Sequence, residues 1–234
     1  MTPARKRPRT YAILPVKRFE AAKARLGGDV SSGARRALAE SMMTDVLMAL
    51  RRAKTVDEVL VVTSEPTADA IGRGYGATVL VDDVEDGQSE AALIGIAQAL
   101  EHGAERVLLV PADCPALDPV ELDELLDRET DARSVIVVPD RHGSGTNALV
   151  LSPPDVIEPA FGPGSRALHE QAAAAVGLAA AVEHVPTLAI DVDTADDVEA
   201  LRDALRERRG GAAHTRGMLS RLYGKEPPPP PGAS

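Results

Sequence analysis

Short runs of β-branched and apolar residues alternate with longer stretches of helical spacing, and this alternation restricts the chain to an α/β sheet with crossover helices. The runs are Tyr11–Val16, Val59–Thr63, Thr78–Val81, Arg106–Val110, Ser134–Val138, Ala148–Leu151 and Leu188–Val192. Between them the spacing predicts helices at about 33–53, 67–74, 88–102, 118–127, 165–177 and 195–208. The first four runs each precede a helix, so they are expected to be parallel strands joined by right-handed crossovers. Only nine residues separate Ser134–Val138 from Ala148–Leu151. That is too few for an ordinary crossover, so this pair is expected to be antiparallel or distorted and the sheet to be mixed.

Composition narrows the function. The chain has 234 residues, 44% of them hydrophobic, with three Tyr, two Phe and no Trp. A single domain of this size buries about 70% of its unfolded surface, but platforms for stacking bases are nearly excluded. The net charge is −10, and residues 10–205 alone hold 16 basic and 34 acidic side chains, a net of −18. A body this acidic argues against a nucleic-acid face, which needs clustered Lys and Arg. Cys114 is the only cysteine, which excludes an internal disulfide and a multi-cysteine zinc site. No apolar run approaches the roughly 18 residues needed to cross a bilayer, and Tyr11–Val16 is too short for a signal-peptide core. A cytoplasmic protein with no membrane partner is expected.

Residues 1–9 form a basic extension and residues 10–209 the domain. From 210 onward the chain is Gly-rich and ends near five prolines, Pro227–Pro231. Such a segment is expected to be a disordered tail that can be removed without loss of activity.

In an open α/β sheet the ligand crevice lies beyond the carboxyl ends of the strands. Lys17, Arg18, Lys23 and Arg25 follow the first run within nine residues, offset only by Glu20. In so acidic a body this cluster is the obvious place to hold a polyphosphate. The segment lacks both GxGxxG and GxxxxGK[ST], which argues against a dehydrogenase or an ordinary NTPase. Asp113 follows a wholly apolar strand between Pro111 and Pro115, well placed to take a hard divalent cation. Asp118 before Pro119 already fits the N-cap of the next helix. Asp191 and Asp193 are expected on one strand face, with Asp193 a second candidate metal ligand, while Thr194 and Asp197 fit a capping box.

Two glycine-rich loops, Pro139–Ala148 and Phe161–His169, carry Thr146 and Ser165, whose hydroxyls can donate to anionic oxygens. Ser165 and Arg166 open a predicted helix, a plausible place for a phosphate or carboxylate. His142 and His169 fit surface positions in these loops, and Cys114 fits a space-filling one. Gly87, Gln88 and Ser89 fit equally a base or ribose subsite and a plain helix start, as do Thr63 and Ser64.

As an ordered set, Leu14-Pro-Val-Lys, Ala22-Lys-Ala-Arg-Leu26, Asp86-Gly-Gln-Ser-Glu-Ala, Pro111-Ala-Asp-Cys-Pro-Ala-Leu, Gly143-Ser-Gly-Thr-Asn-Ala-Leu, Phe161-Gly-Pro-Gly-Ser and Asp191-Val-Asp-Thr resemble the 2-phospholactate/phosphoenolpyruvate guanylyltransferases of coenzyme F-420 biosynthesis. The likeness covers roughly residues 10–205. It implies a single-domain nucleotidyltransferase of GT-A-like, Rossmann-like form, a three-layer α/β sandwich with a mixed, mostly parallel sheet. It implies GTP as donor, with Leu14, Pro15, Val16, Lys17, Gly87, Gln88 and Ser89 at the nucleotide and Lys17, Lys23 and Arg25 clamping its triphosphate. Mg²⁺ would be held by Asp113 with Asp191 or Asp193. A three-carbon phosphorylated acid, phosphoenolpyruvate or 2-phospholactate, would bind at Thr146, Gly162 and Ser165. A sugar-phosphate or molybdopterin nucleotidyltransferase, or a non-catalytic nucleotide-binding module, remains open as an alternative, as does the oligomeric state.

Overall fold

The computed structural model describes residues 7–19, 26, 30–128, 131–208 and 210–224. The elements run β1 (Thr10–Val16), α1 (Ser32–Arg52), β2 (Glu58–Thr63), α2 (Pro66–Gly74), β3 (Thr78–Val81), α3 (Gln88–Glu101), β4 (Arg106–Leu109), α4 (Pro119–Leu126), β5 (Ser134–Pro139), β6 (Thr146–Ser152), α5 (Ser165–Ala175), β7 (Ala181–Val182), α6 (Ala195–Glu207) and α7 (Ala213–Tyr223). Seven strands form one sheet in the order β3-β2-β1-β4-β6-β5-β7. The first four pair in parallel and β7 pairs in parallel with β5, whereas β6 is antiparallel to both β4 and β5. The mixed, mostly parallel α/β sheet is therefore as expected.

The two-residue period of each strand supplies one apolar face per side. Ala12, Leu14 and Val16 of β1 point into a core shared with α1, α4, α6 and α7, while Tyr11 and Ile13 point into a second core shared with α3 and α5. The result is three layers. Helix starts follow local chemistry: the Asp118 carboxylate accepts the Val120 N–H at 2.8 Å with Pro119 next to it, and Thr194 and Asp197 complete a reciprocal capping box on α6. At Gly95 the α3 backbone lies so close to the sheet that any Cβ would collide with the Ile13 side chain.

Two expectations need correction. Leu188–Val192 is not a strand: a single 3₁₀ turn covers Pro186–Leu188, and irregular chain follows. Its backbone groups are bound elsewhere than a ladder, the Leu188 carbonyl by Asn147 Nδ2 at 2.8 Å and the Val192 N–H by the Asp113 carbonyl at 3.2 Å. The far edge is instead the two-residue β7. The segment after 209 is not a disordered tail as far as Gly224, because Ala213–Tyr223 is helical. The Asp45 carboxylate, buried on α1, accepts the His214 N–H at 3.2 Å and the Thr215 N–H at 2.7 Å, and Ala212 and Leu219 join the core. A side chain from another helix thus caps α7, which local composition cannot reveal. The proline run lies outside the described residues, as do residues 1–6, whereas Arg7 grips Asp57 through two bonds of 2.7 and 2.8 Å.

Ending the chain at Gly211 should lower the unfolding free energy by about 2–4 kcal/mol, the burial of one or two large apolar side chains. Asp45→Ala should lower it by about 1–2 kcal/mol. Denaturant midpoints check both. Acid sensitivity has a defined sign. Burial alone would raise the carboxyls of Asp57, Glu121 and Asp123, but hydrogen bonds outweigh it and hold all three below their ordinary values: from Arg7 and Thr10 to Asp57, from Arg208 and Thr187 to Glu121, and from Thr55 and Lys54 to Asp123. Their stabilisation is complete above the ordinary carboxylate values and is lost as pH falls through the lowered ones. Unfolding free energy measured against pH should therefore drop below about pH 4.5.

Candidate active site

A cleft of about 780 Å³ opens beyond the carboxyl ends of β1 and β4 and the start of β6. Pro15, Val16 and Lys17 continue β1 into it, and Asp113 enters from the turn after β4. Asp191 and Asp193 face it from the irregular chain before α6, and Thr146 from the first position of β6. Gly162, Ser165, Gly87, Gln88, Arg18 and Ser64 complete the predicted residues that line it. Gly87 holds φ 121°, a conformation that glycine accepts and other residues resist, where the chain turns into α3.

Four predicted residues are placed elsewhere or lie outside the described residues. Leu14 is fully buried in the core and does not line the cleft. Ser89 does not line it either; its hydroxyl accepts the Phe161 N–H at 2.9 Å and so ties α3 to the second glycine loop. Lys23 and Arg25 lie outside the described residues. Of the remaining basic cluster, Lys17 is exposed at the cleft, while Arg18 is paired with Glu85 at 2.7 Å. The Phe19 N–H donates to the buried Glu65 carboxylate at 3.2 Å and anchors this segment to the start of α2. Arg166 bonds Glu170 at 2.9 Å and the Gly143 carbonyl at 3.3 Å, so it laces the two glycine loops together.

The acidic side of the cleft is tightly organised. The Val192 N–H bond to the Asp113 carbonyl holds the 191–193 segment against the β4 turn. Burial first, and then the charge of Asp113, push the Asp191 carboxyl above the usual range, against the opposing hydrogen bond from Asn147. Asn147 Nδ2 donates to Asp191 Oδ1 at 3.1 Å as well as to the Leu188 carbonyl. Asp197 accepts from the N–H groups of Asp193 at 3.1 Å and Thr194 at 2.8 Å. Its other oxygen receives Nε and Nη2 of Arg141 at 2.9 and 2.6 Å. Burial opposes the charged form of Asp197, but these bonds outweigh it and hold its carboxyl below the usual range.

Carboxylate oxygens are hard donors of the kind Mg²⁺ takes, and the mutual repulsion at Asp191 is what a cation would relieve. Among the described residues, no group of three or more His, Cys, Asp or Glu is placed to hold a metal ion by itself. The arrangement fits an ion that uses a few carboxylates together with substrate phosphates, as Mg²⁺ commonly does.

His169 differs from its expected surface place: it is fully buried on α5. Its Nε2 accepts the Ala160 N–H at 2.9 Å, its Nδ1 lies 3.0 Å from Thr146 Oγ1, and burial pushes its pKa down to about 4. Asn147, Arg141 and His169 were thus missed as site-organising residues. For Asn147 a signal existed in its place beside Thr146 in the glycine loop. For Arg141, whose partner is 56 residues away, none did.

The chain is similar to known proteins. The family model described as Guanylyl transferase CofC like matches residues 10–208. A phosphoenolpyruvate guanylyltransferase of Conexibacter woesei is 53% identical over 219 residues, covering 93% of this chain and 98% of that one. A 3-phospho-D-glycerate guanylyltransferase of Colwellia psychrerythraea is 34% identical, covering 82% and 91%. Among solved structures, a nucleotidyl transferase from Methanothermobacter thermautotroptrophicus matches with a TM-score of 0.59 at 20% identity, covering 86% of this chain and 99% of that one; it speaks to the fold alone. With the matched stretch spanning every strand of the sheet and both sides of the cleft, the chain belongs to the CofC-like guanylyl transferase family and is a nucleotidyltransferase.

Proposed function

We propose that the protein transfers GMP from GTP to the phosphate of phosphoenolpyruvate and releases pyrophosphate, a step of coenzyme F-420 biosynthesis. The observation that carries this reading is one cleft lined by Lys17, by a carboxylate group at Asp113, Asp191 and Asp193, and by the small donors Thr146, Gly162 and Ser165. The Conexibacter woesei relative supports phosphoenolpyruvate as acceptor. The Colwellia psychrerythraea relative favours a second acceptor, 3-phospho-D-glycerate, and 2-phospholactate has the same three-carbon phosphoacid chemistry.

An acceptor phosphate oxygen forms a bond to the α-phosphorus of GTP while the bond from that phosphorus to the leaving pyrophosphate oxygen breaks. The attacking oxygen is already anionic near neutral pH, so no side chain need remove a proton. Catalysis reduces to positioning and to neutralising charge. Lys17 supplies a mobile positive charge for the triphosphate. Thr146 and Ser165 orient the acceptor with neutral donors. Mg²⁺, held by Asp113 with Asp191 or Asp193, would when bound draw charge from the α- and β-phosphate oxygens. Asn147 and Asp197 keep those carboxylates in place.

Pyrophosphate release from GTP and Mg²⁺ with each phosphoacid tests the reading, with turnover expected on phosphoenolpyruvate; no release with any of the three would overturn it. Asp113→Ala should lower kcat by orders of magnitude while the folded spectrum is kept. Asn147→Ala should weaken Mg²⁺-dependent activity by about 10- to 100-fold, the usual effect of removing a residue that orients a ligand; a Mg²⁺ titration measures it.

A further inference from the structure

His169 is the fully buried histidine among the described residues, and its two ring nitrogens face different elements. The Ala160 N–H points at Nε2 from 2.9 Å, so that nitrogen must present its lone pair. Burial keeps the ring neutral at physiological pH. A neutral imidazole carries one N–H, which therefore resides on Nδ1 and donates to Thr146 Oγ1 across 3.0 Å. Phe161 packs edge-on against the ring with centroids 5.2 Å apart and limits its rotation. With that bond accepted, the hydroxyl hydrogen of Thr146 is left to point along the cleft wall that Thr146 lines.

We infer that His169 is a positioning residue that fixes the Thr146 hydroxyl as a hydrogen-bond donor to an oxyanion of the acceptor, and at the same time fastens the Gly162 loop through Ala160. The inference rests on the proposed acceptor reading for what Thr146 touches. It deepens that reading by assigning the subsite its polarity. A hydroxyl held as donor favours a phosphate or carboxylate oxygen and disfavours an acceptor that offers an N–H at the same point. Because His169 is neutral, the anion is held at this point by a hydroxyl dipole and not by a charge.

Two isosteric replacements separate the functions of the ring. His169→Asn retains a donor near the Nδ1 position, and His169→Gln retains an acceptor near the Nε2 position. His169→Gln should raise the acceptor KM by about tenfold or more, in line with loss of a hydrogen bond to a charged group, with the GTP KM unchanged. His169→Asn, which keeps that donor and loses only the bond to Ala160, should raise the acceptor KM clearly less than His169→Gln does. Thr146→Val should match His169→Gln, and the double variant should be no worse than Thr146→Val alone. Equal damage from Asn and Gln, or losses that multiply in the double variant, would overturn the inference by showing a packing role only.

The ¹⁵N spectrum of the wild-type imidazoles, with His169 assigned by its absence in the Gln variant, should show the Nδ1–H tautomer. An Nε2–H or charged ring would overturn the inference irrespective of any kinetics. If the wild type turns over no three-carbon phosphoacid, the acceptor reading falls and takes the oxyanion assignment with it, while the spectrum still decides the hydrogen bond.

Discussion

Two adjacent residues at the start of β6 tie the halves of the cleft together. Because β6 runs antiparallel between β4 and β5, it delivers its first residues, rather than its last, to the end of the sheet where β1 and β4 finish. The period of two then sends neighbouring side chains to opposite faces. Thr146 meets His169 of α5, whose helix packs on one side of the sheet, and Asn147 meets Leu188 and Asp191 on the other. A one-residue slip of β6 would exchange these partners and dismantle both sides at once.

Charge is arranged against its own tendency in the acidic half. Asp113, Asp191 and Asp193 line one space, and Asp191 is strained electrostatically by burial and by Asp113. Asp191 is held by the neutral amide of Asn147, while two guanidiniums at the cleft are bound to other carboxylates, Arg141 to Asp197 and Arg18 to Glu85. A cationic side chain beside Asp191 would have quenched the site. Routing Arg141 through Asp197 fixes the loop at Asp193 and Thr194 without placing that guanidinium on Asp191.

Strand order of reading, helix positions and the antiparallel pair were legible because alternation and spacing are local properties. The cleft residues Lys17, Asp113, Thr146, Gly162 and Ser165 were legible for a related reason, each standing just past a strand or in a glycine turn. What was not legible depends on distant partners. The Leu188–Val192 run has strand composition, yet its backbone is claimed by Asn147 and Asp113. α7 lacks a side-chain cap of its own and takes one from Asp45, about 170 residues away. Leu14 sits among cleft residues in sequence but points to the core by strand alternation. His169 lies four residues after Ser165, one helical turn on, which turns it inward where a loop reading left it at the surface.

The β3 edge has a colloidal meaning. Thr78–Val81 is an outermost strand of four residues, with Val81 exposed, and an open edge of this kind is a template for pairing with another chain. The residues that follow are Asp82-Asp83-Val84-Glu85-Asp86. Two such edges approaching one another would bring the exposed Asp83 and Asp86 of each copy together, a like-charge repulsion of the kind that discourages edge-to-edge pairing.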